Sequence, residues 1–437
     1  MATEENGMSG SGNGGTRPQM GWGAAGPETP AARRRRKLPT FNDLEQRAKW
    51  RIARFAHDFV SGGVGDGAPN VAHNRAAMDA VRVVPRYAID LTGVQIKTKL
   101  FGREYSAPVG VAPMGNTGMV WPDADAILAA AAQQAGIPYV SSTVATVGME
   151  KLAQIAPDSL WFQLYGLPGD RHRLSIDMIQ RAEAVGAHAL VVTLDVPMRQ
   201  KRVHDVRNGL VLPFKMRPKT IFDIARAPIW AMAMLKKGQP RFRNLEKYAG
   251  ADASVGDLAA FAQQNISTGV TWDDIARFRE IWPRALVLKG LQHPADAERA
   301  VSLGVDGIWI SNHGGRQFDA APASIDTVPA IAAAVGGRAK ILYDGSIRSG
   351  LDVLRTLAVG ADFCFAGRAF LYAVAAIGEA GGEHQAAAFI EEIRSTFGQA
   401  GVTSVDEAQR CVTFHPNALR FDPEGNVAGT EAPRPRR

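Results

Sequence analysis

Between residues 108 and 367, eight short apolar runs recur, most of them separated by an alanine-rich amphipathic stretch, and this alternation leaves the chain few possible architectures. The runs are PVGVAP (108–113), PYVSS (138–142), LWFQLY (160–165), ALVVTLD (189–195), ALVLKG (285–290), GIWISN (307–312), KILYDG (340–345) and DFCFAG (362–367). Segments between them, such as DADAILAAAAQQAG and GLDVLRTLAVGA, close at a glycine suited to a helix C-cap. Near-continuous apolar strands alternating with helices predict a parallel sheet covered by helices. Eight such units predict a closed (β/α)8 TIM barrel. A doubly wound open sheet is the alternative. Against it, no Gly-x-Gly-x-x-Gly turn follows the first run, and polar residues close many runs rather than one switch point.

The 437 residues exceed what a barrel needs, and the surplus falls in three places. Residues 1–38 hold MSGSGNGG and GAAGPETPAA, too poor in apolar surface to offset the entropy of ordering, and read as a disordered basic tail. The barrel domain then takes residues 39–437, opening with a helical extension and carrying a long insertion after strand 4, about residues 203–271. The net charge of +7 owes part of its excess to the ARRRRK run at 32–37, which reads as a solvated tail and not as a nucleic-acid contact. No apolar h-region follows that run, and no stretch reaches the roughly 20 residues of a membrane span. Two cysteines, Cys364 and Cys411, exclude a disulfide framework and a cysteine-rich metal site, and fit a cytoplasmic setting.

Active sites of such barrels lie at the C-terminal ends of the strands, so the residues closing each run are the candidates. They are Pro113, Met114 and Gly115; Ser142; Gln163 and Tyr165; Thr193 and Asp195; Lys289; His313 and Arg316; Asp344, Gly345 and Arg348; Gly367 and Arg368. Polar groups at every strand end suit one large polar ligand. The glycine-rich turns DGSIRSG and AGRAF follow strands seven and eight, where barrels hold phosphate on backbone N–H groups. Lys289 is open to two readings, a Schiff base or a cation facing a reduced cofactor. His313 is the best general base on offer, with Arg316 as a fork for a carboxylate and Asp195 to orient the imidazole. No histidine pair has metal-ligand spacing, so no metal site is expected.

These residues resemble the FMN-dependent 2-hydroxy acid oxidases and dehydrogenases, a family that includes glycolate oxidase, lactate dehydrogenases and mandelate dehydrogenase. SNHGGRQ (311–317) is similar to that family's active-site motif, and HDFVSGGVGD, APVGVAPMG, WFQLYG, TLDVPMRQKRVHDVRNG, LVLKG, YDGSIRSG and AGRAF stand in family order from about Leu38 to near the C-terminus. The resemblance implies FMN resting on Pro113, Met114, Gly115, Ser142, Gln163 and Thr193, with its phosphate held by Asp344, Gly345, Arg348, Gly367 and Arg368. It implies Lys289 against the flavin N1 edge, stabilising the anionic reduced form. His313 would take the hydroxyl proton of an L-2-hydroxy acid as hydride passes to flavin N5; removal of the α proton first is the other route. Arg316 and Arg202 would clamp the carboxylate, Tyr165 would hydrogen-bond the substrate, and Asp195 would support His313. A homotetramer is a further implication.

Two departures stand out. Phe59, in HDFVSGG, replaces the tyrosine that family members offer to the substrate carboxylate, removing a contact worth roughly 1 kcal/mol or more if buried. Gly115 stands where the oxidases carry alanine, which leans the reading toward a dehydrogenase passing electrons to a quinone or cytochrome rather than to oxygen. The insertion resembles the variable loop of membrane-associated relatives: IWAMAML with KK after it could dock at the inner face of a membrane or pack as a lid. Two other functions are weighed. A flavin-dependent isomerase or other phosphate-handling barrel would reuse the FMN site without needing His313, Arg316 and Arg202 together. A non-catalytic protein recruited through its tail would tolerate loss of His313.

Overall fold

Each apolar run forms a strand because its side chains are buried on both faces, one set against helices and the other in the barrel. The computed structural model describes residues 28–198, 200–210, 217–250, 252–266, 269–422 and 424–428. Its strands are β1 (Val109–Val111), β2 (Tyr139–Ser142), β3 (Leu160–Tyr165), β4 (Ala189–Thr193), β5 (Ala285–Leu291), β6 (Gly307–Ile310), β7 (Lys340–Asp344) and β8 (Phe363–Ala366). All neighbours pair in parallel, and β8 pairs back onto β1 to close the barrel. A helix follows each strand, from Ala124–Ala135 after β1 to Arg368–Ile377 after β8. Gly136 and Gly336 end two of these helices in the left-handed region, at φ 64° and 57°.

The period-2 alternation of the strands sorts the two faces. Outward residues such as Leu190, Val192, Leu286, Leu288, Ile308 and Ile310 join the core beneath the helices. Inward residues Trp161, Val191, Val287, Trp309, Leu342, Phe363 and Phe365 fill the barrel. Trp309 stacks on Phe365 at 4.0 Å between centroids, and Trp161 meets the same ring at 5.5 Å. Such pairs contribute about 1 kcal/mol each beyond the area they bury. A hairpin, Thr98–Leu100 with Arg103–Tyr105, closes the N-terminal end of the barrel. Leu100 and Tyr105 enter the interior cluster, and Trp161 Nε1 donates to Tyr105 Oη at 3.1 Å. With that end sealed, the barrel's interior faces a ligand at its C-terminal end.

Four helices precede the barrel: α1 (Pro30–Lys37), α2 (Phe41–Arg51), α3 (Arg54–Ser61) and α4 (Pro69–Ala80). The basic run corrects the tail boundary read from the sequence. PAARRRRK is helical, with Thr29 accepting from Ala32 N at its N-cap, and Arg35 reaches Glu391 at 4.0 Å. Composition alone missed it because the helix is set by a local cap, Thr29, and a local pair, Arg36 with Glu28, which composition does not register. Residues 1–27 of the tail lie outside the described residues. The insertion holds the helices Val203–Arg207, Pro218–Ala225, Pro228–Lys237, Glu246–Ala249 and Val255–Asn265 before the barrel resumes at Trp272–Ile281. Among the described residues, no helix is long and apolar enough to cross a membrane.

Candidate active site

The last inward residue of most strands is polar, and these residues form a hydrogen-bonded floor above the aromatic layer. On one side, Ser142 Oγ donates to Gln163 Oε1 at 3.0 Å, and Gln163 Nε2 donates to Thr193 Oγ1 at 2.9 Å. The register sets this chain, since Ser142 lies opposite Gln163, and Thr193 stands two residues beyond Val191, the partner of Gln163. On the other side, Lys289 Nζ donates to Ser311 Oγ and pairs with Asp344 Oδ2, both at 2.7 Å. Ser311 Oγ donates in turn to Asp344 Oδ1 at 2.6 Å, and Trp309 Nε1 donates to Asp344 Oδ2 at 3.0 Å.

This arrangement moves Asp344 away from the phosphate role that the resemblance implies. Strand alternation turns its carboxylate inward, where both oxygens are occupied and the charge offsets that of buried Lys289. A carboxylate there suits a cation and would repel a phosphate. Ser311 and Trp309 were passed over in the sequence; their signal was the same alternation, which puts residues 307, 309 and 311 on one face.

His313 follows β6 in a run of three left-handed residues, with φ 59°, 65° and 75° at His313, Gly314 and Gly315. Its Nδ1 lies 3.0 Å from Asp195 Oδ1, and Tyr165 Oη lies 3.4 Å from its Nε2. With the Nδ1 proton directed at Asp195, Nε2 is the acceptor. Burial lowers the His313 pKa below the ordinary imidazole value; Asp195 opposes that shift, while Lys289 and Arg202 add to it. Burial works to raise the Asp195 carboxyl, but His313 and Lys289 outweigh it and hold Asp195 below the usual range. Asp195 can stand there because Gly290, at φ 101°, carries no side chain: a Cβ on it would lie 2.5 Å from Asp195 Cβ.

Three guanidiniums stand near this group, and a fourth, Arg348, lies farther out in the turn after β7. Arg316 Nη1 donates to the carbonyls of Phe59 and Gly62, at 2.7 and 2.8 Å, and the cation lies over the Phe59 ring at 5.0 Å. Arg202, half-buried at the start of the helix Val203–Arg207, approaches Asp205 at 3.9 Å. Arg368 donates to the carbonyls of Val60, Gly62 and Gly314 at 2.9 Å each, which leaves two of its five N–H bonds for a ligand. Arg348 lies over the Phe41 ring at 4.5 Å. Among the described residues, Arg316, Arg348 and Arg368 make no ion pair. Burial depresses all three pKa values, and repulsion from neighbouring arginines adds to it.

The remaining candidates line the same mouth. A Cβ on Gly367 would lie 3.5 Å from Met114 Sδ, and one on Gly115 would meet Val144 Cγ2 at 2.4 Å. Pro113 is half-buried beside them. In the turn after β7, Gly345 and Ser346 both take positive φ, at 137° and 58°. The residues fit FMN. Arg348 and Arg368, half-buried in the turns after β7 and β8 and without an ion pair among the described residues, suit a phosphate, and the polar floor offers donors and acceptors to a planar heterocycle.

The comparisons agree. A family model described as FMN-dependent dehydrogenase matches residues 48–414. Human 2-hydroxyacid oxidase 2 is 37% identical over 374 residues, covering 85% of this chain and 97% of that protein. An L-lactate dehydrogenase of Vibrio cholerae is 34% identical over 369 residues, covering 84% and 97%. Among solved structures, the monotopic membrane protein (S)-mandelate dehydrogenase superposes with a TM-score of 0.80 at 31% identity, covering 84% of this chain and 96% of that one. A sealed barrel, a polar mouth lined by arginines and this match across most of the chain lead to one assignment: the protein belongs to the FMN-dependent dehydrogenases, and is an FMN-dependent oxidoreductase of the 2-hydroxy acid oxidase and dehydrogenase family.

Proposed function

We propose that the chain oxidises an L-2-hydroxy acid to the 2-oxo acid, with His313 as the base. The observation that carries this reading is the company His313 keeps. An imidazole whose pKa burial lowers sits against a carboxylate at 3.0 Å, in a mouth where the half-buried guanidinium of Arg316 makes no ion pair among the described residues. A substrate bearing a carboxylate and an adjacent hydroxyl answers both features. Arg316 and Arg202 hold the carboxylate, Nε2 of His313 accepts the hydroxyl proton, and Asp195 stabilises the imidazolium that results. Tyr165 directs its hydroxyl at the same substrate oxygen. FMN, when bound, supplies the two-electron acceptor for the α-hydrogen, which leaves as hydride. Lys289 would supply a cation to the reduced cofactor from the end of β5, and Arg348 and Arg368 would hold its phosphate with the turns after β7 and β8.

The test is anaerobic mixing of the yellow holoenzyme with glycolate, lactate, mandelate and longer 2-hydroxy acids, read as bleaching of the flavin. Reoxidation by oxygen, a quinone or a cytochrome then identifies the acceptor. A holoenzyme that no 2-hydroxy acid bleaches overturns the reading.

The insertion supports a location. In the helices Pro218–Ala225 and Pro228–Lys237, Ile221, Phe222, Ile229, Met232 and Leu235 are exposed, with Leu235 at 84%. Ile229, Met232 and Leu235 recur every third residue along one face, and Lys219, Arg226, Lys236 and Lys237 flank the patch. We infer that these helices dock on the surface of an anionic membrane, which suits a quinone as acceptor.

A further inference from the structure

Helix α4 lies outside the barrel and has no part in the proposed chemistry, yet three of its side chains reach into the loops that carry the site. Asn74 and Asn312 are both buried and exchange two hydrogen bonds: Asn74 Nδ2 donates to Asn312 Oδ1 at 2.9 Å, and Asn312 Nδ2 donates to Asn74 Oδ1 at 2.8 Å. Asn312 precedes His313, and its Oδ1 also accepts from Gly315 N at 3.2 Å. One turn earlier on the helix, Asn70 donates to the carbonyls of Phe318 and Ala321, at 3.1 and 3.0 Å, so both ends of the 312–321 loop are tied to α4. The loop needs such a tie. His313 holds a left-handed backbone that a side chain disfavours, and a relaxed loop would carry the imidazole away from Asp195.

The next residue reaches the other loop. Arg75 Nη1 donates to Ser346 O at 2.9 Å, in the left-handed turn after β7. Its guanidinium also pairs with Asp352, at 2.8 and 3.0 Å. Asp352 accepts from Arg348 N at 3.0 Å and Ser349 N at 3.2 Å, fixing the start of the helix Gly350–Ala358. Thus Arg75 grips the turn from both sides.

We propose that α4 is a positioning element with two separable tasks on adjacent residues: Asn74 fixes the loop that carries His313, and Arg75 fixes the turn that holds the FMN phosphate. The Asn74 half rests on the reading of His313 as the base. Neither residue touches the reacting atoms; each acts through another.

Two readouts on purified holoenzyme test it: the rate of anaerobic flavin reduction by a 2-hydroxy acid, and the FMN released on ultrafiltration. Asn74→Ala is expected to slow reduction about tenfold or more, because it strands a buried amide, while FMN release changes less than about threefold. Its acid limb should also move up toward the ordinary histidine value as His313 loses its enclosure. Arg75→Met is expected to raise FMN release about tenfold or more, with a smaller fall in the reduction rate at saturating FMN. If either variant fails to fold, Asn74→Ser and Arg75→Lys give the same test with smaller effects in the same directions. Equal effects of both substitutions on both readouts, or wild-type behaviour of either, overturn the proposal. Should no 2-hydroxy acid bleach the wild type, the functional reading falls and the Asn74 half with it, while FMN release still decides the Arg75 half.

Discussion

His313 and Asp195 face each other at 3.0 Å, Nδ1 to Oδ1, from the loops after β6 and β4, with β5 between them. The carboxylate spans that gap because Gly290 leaves the space open at the end of β5. Two residues 118 positions apart are thereby joined in one hydrogen-bonded pair.

Replacing the imidazole should separate binding from chemistry. His313→Gln keeps a polar side chain of similar reach but has no basic nitrogen. The purified variant is expected to stay yellow and to be reduced by a 2-hydroxy acid about a hundredfold to ten-thousandfold more slowly. Stopped-flow bleaching measures this, and a variant reduced at the wild-type rate would remove His313 from the mechanism.

The pH profile follows from the direction of the His313 shift. Burial puts its pKa below the ordinary value of about 6.5, and the proposed base works when neutral, so the acid limb of the reduction rate should lie below that pH. Asp195 is the largest contribution opposing that shift. Asp195→Asn should therefore move the limb to still lower pH, while lowering the plateau because the imidazolium loses its counter-charge. An acid limb that moves up in Asp195→Asn contradicts this account.

The barrel could be read from the chain because its signal is local and repeated: all eight apolar runs became strands. The strand-end residues could be read for the same reason, since the fold dictates where they converge. What the sequence hid was direction. Asp344 and Arg348 both flank the turn after β7, but strand alternation points the first into the barrel toward Lys289, while the second lies past the strand's end, in the turn before the helix Gly350–Ala358, and sits over Phe41. The Asn74–Asn312 pair depends on partners hundreds of residues apart, which no window of sequence contains.

Arg316 should not tolerate its conservative replacement. Two carbonyls at the end of α3 hold one nitrogen of the guanidinium, so its fork is set in place before a substrate arrives. Lysine offers neither the fork nor the flat face that lies over Phe59. Arg316→Lys is expected to lower kcat/KM about tenfold to a hundredfold, mostly through KM, as loss of a charge-assisted pair does. Steady-state kinetics across substrate concentration would show it; an unchanged KM would place the carboxylate elsewhere.

Gly115 is fixed by its neighbour. An added methyl would meet Val144 Cγ2 at 2.4 Å, and a β-branched side chain has little freedom to turn away. Gly115→Ala should destabilise the protein by about 1–3 kcal/mol, as overpacking does, and Gly115→Ala/Val144→Ala should recover most of the loss. Thermal melts of the two holoenzymes decide it. The double variant also tests the dehydrogenase lean: with alanine at 115 and stability restored, reoxidation by oxygen should quicken if that position governs access to the flavin.

The exposed face of the helices Pro218–Ala225 and Pro228–Lys237 gives a prediction that does not depend on catalysis. Burying a side chain such as Leu235 or Phe222 in the acyl region contributes about 1.5–3 kcal/mol, and the flanking lysines and arginines add attraction that salt weakens. Wild-type protein should sediment with phosphatidylglycerol vesicles at low salt and less so at high salt. Leu235→Asp and Phe222→Asp should each cut that partition about tenfold or more while still being bleached by substrate in solution. Arg226 lies over exposed Trp50 on α2, at 5.8 Å, so the face extends beyond the insertion and Trp50→Ala should weaken sedimentation as well. If the wild type stays in the supernatant at low salt, these side chains cover some other surface, and the case for a membrane quinone as acceptor loses its structural support.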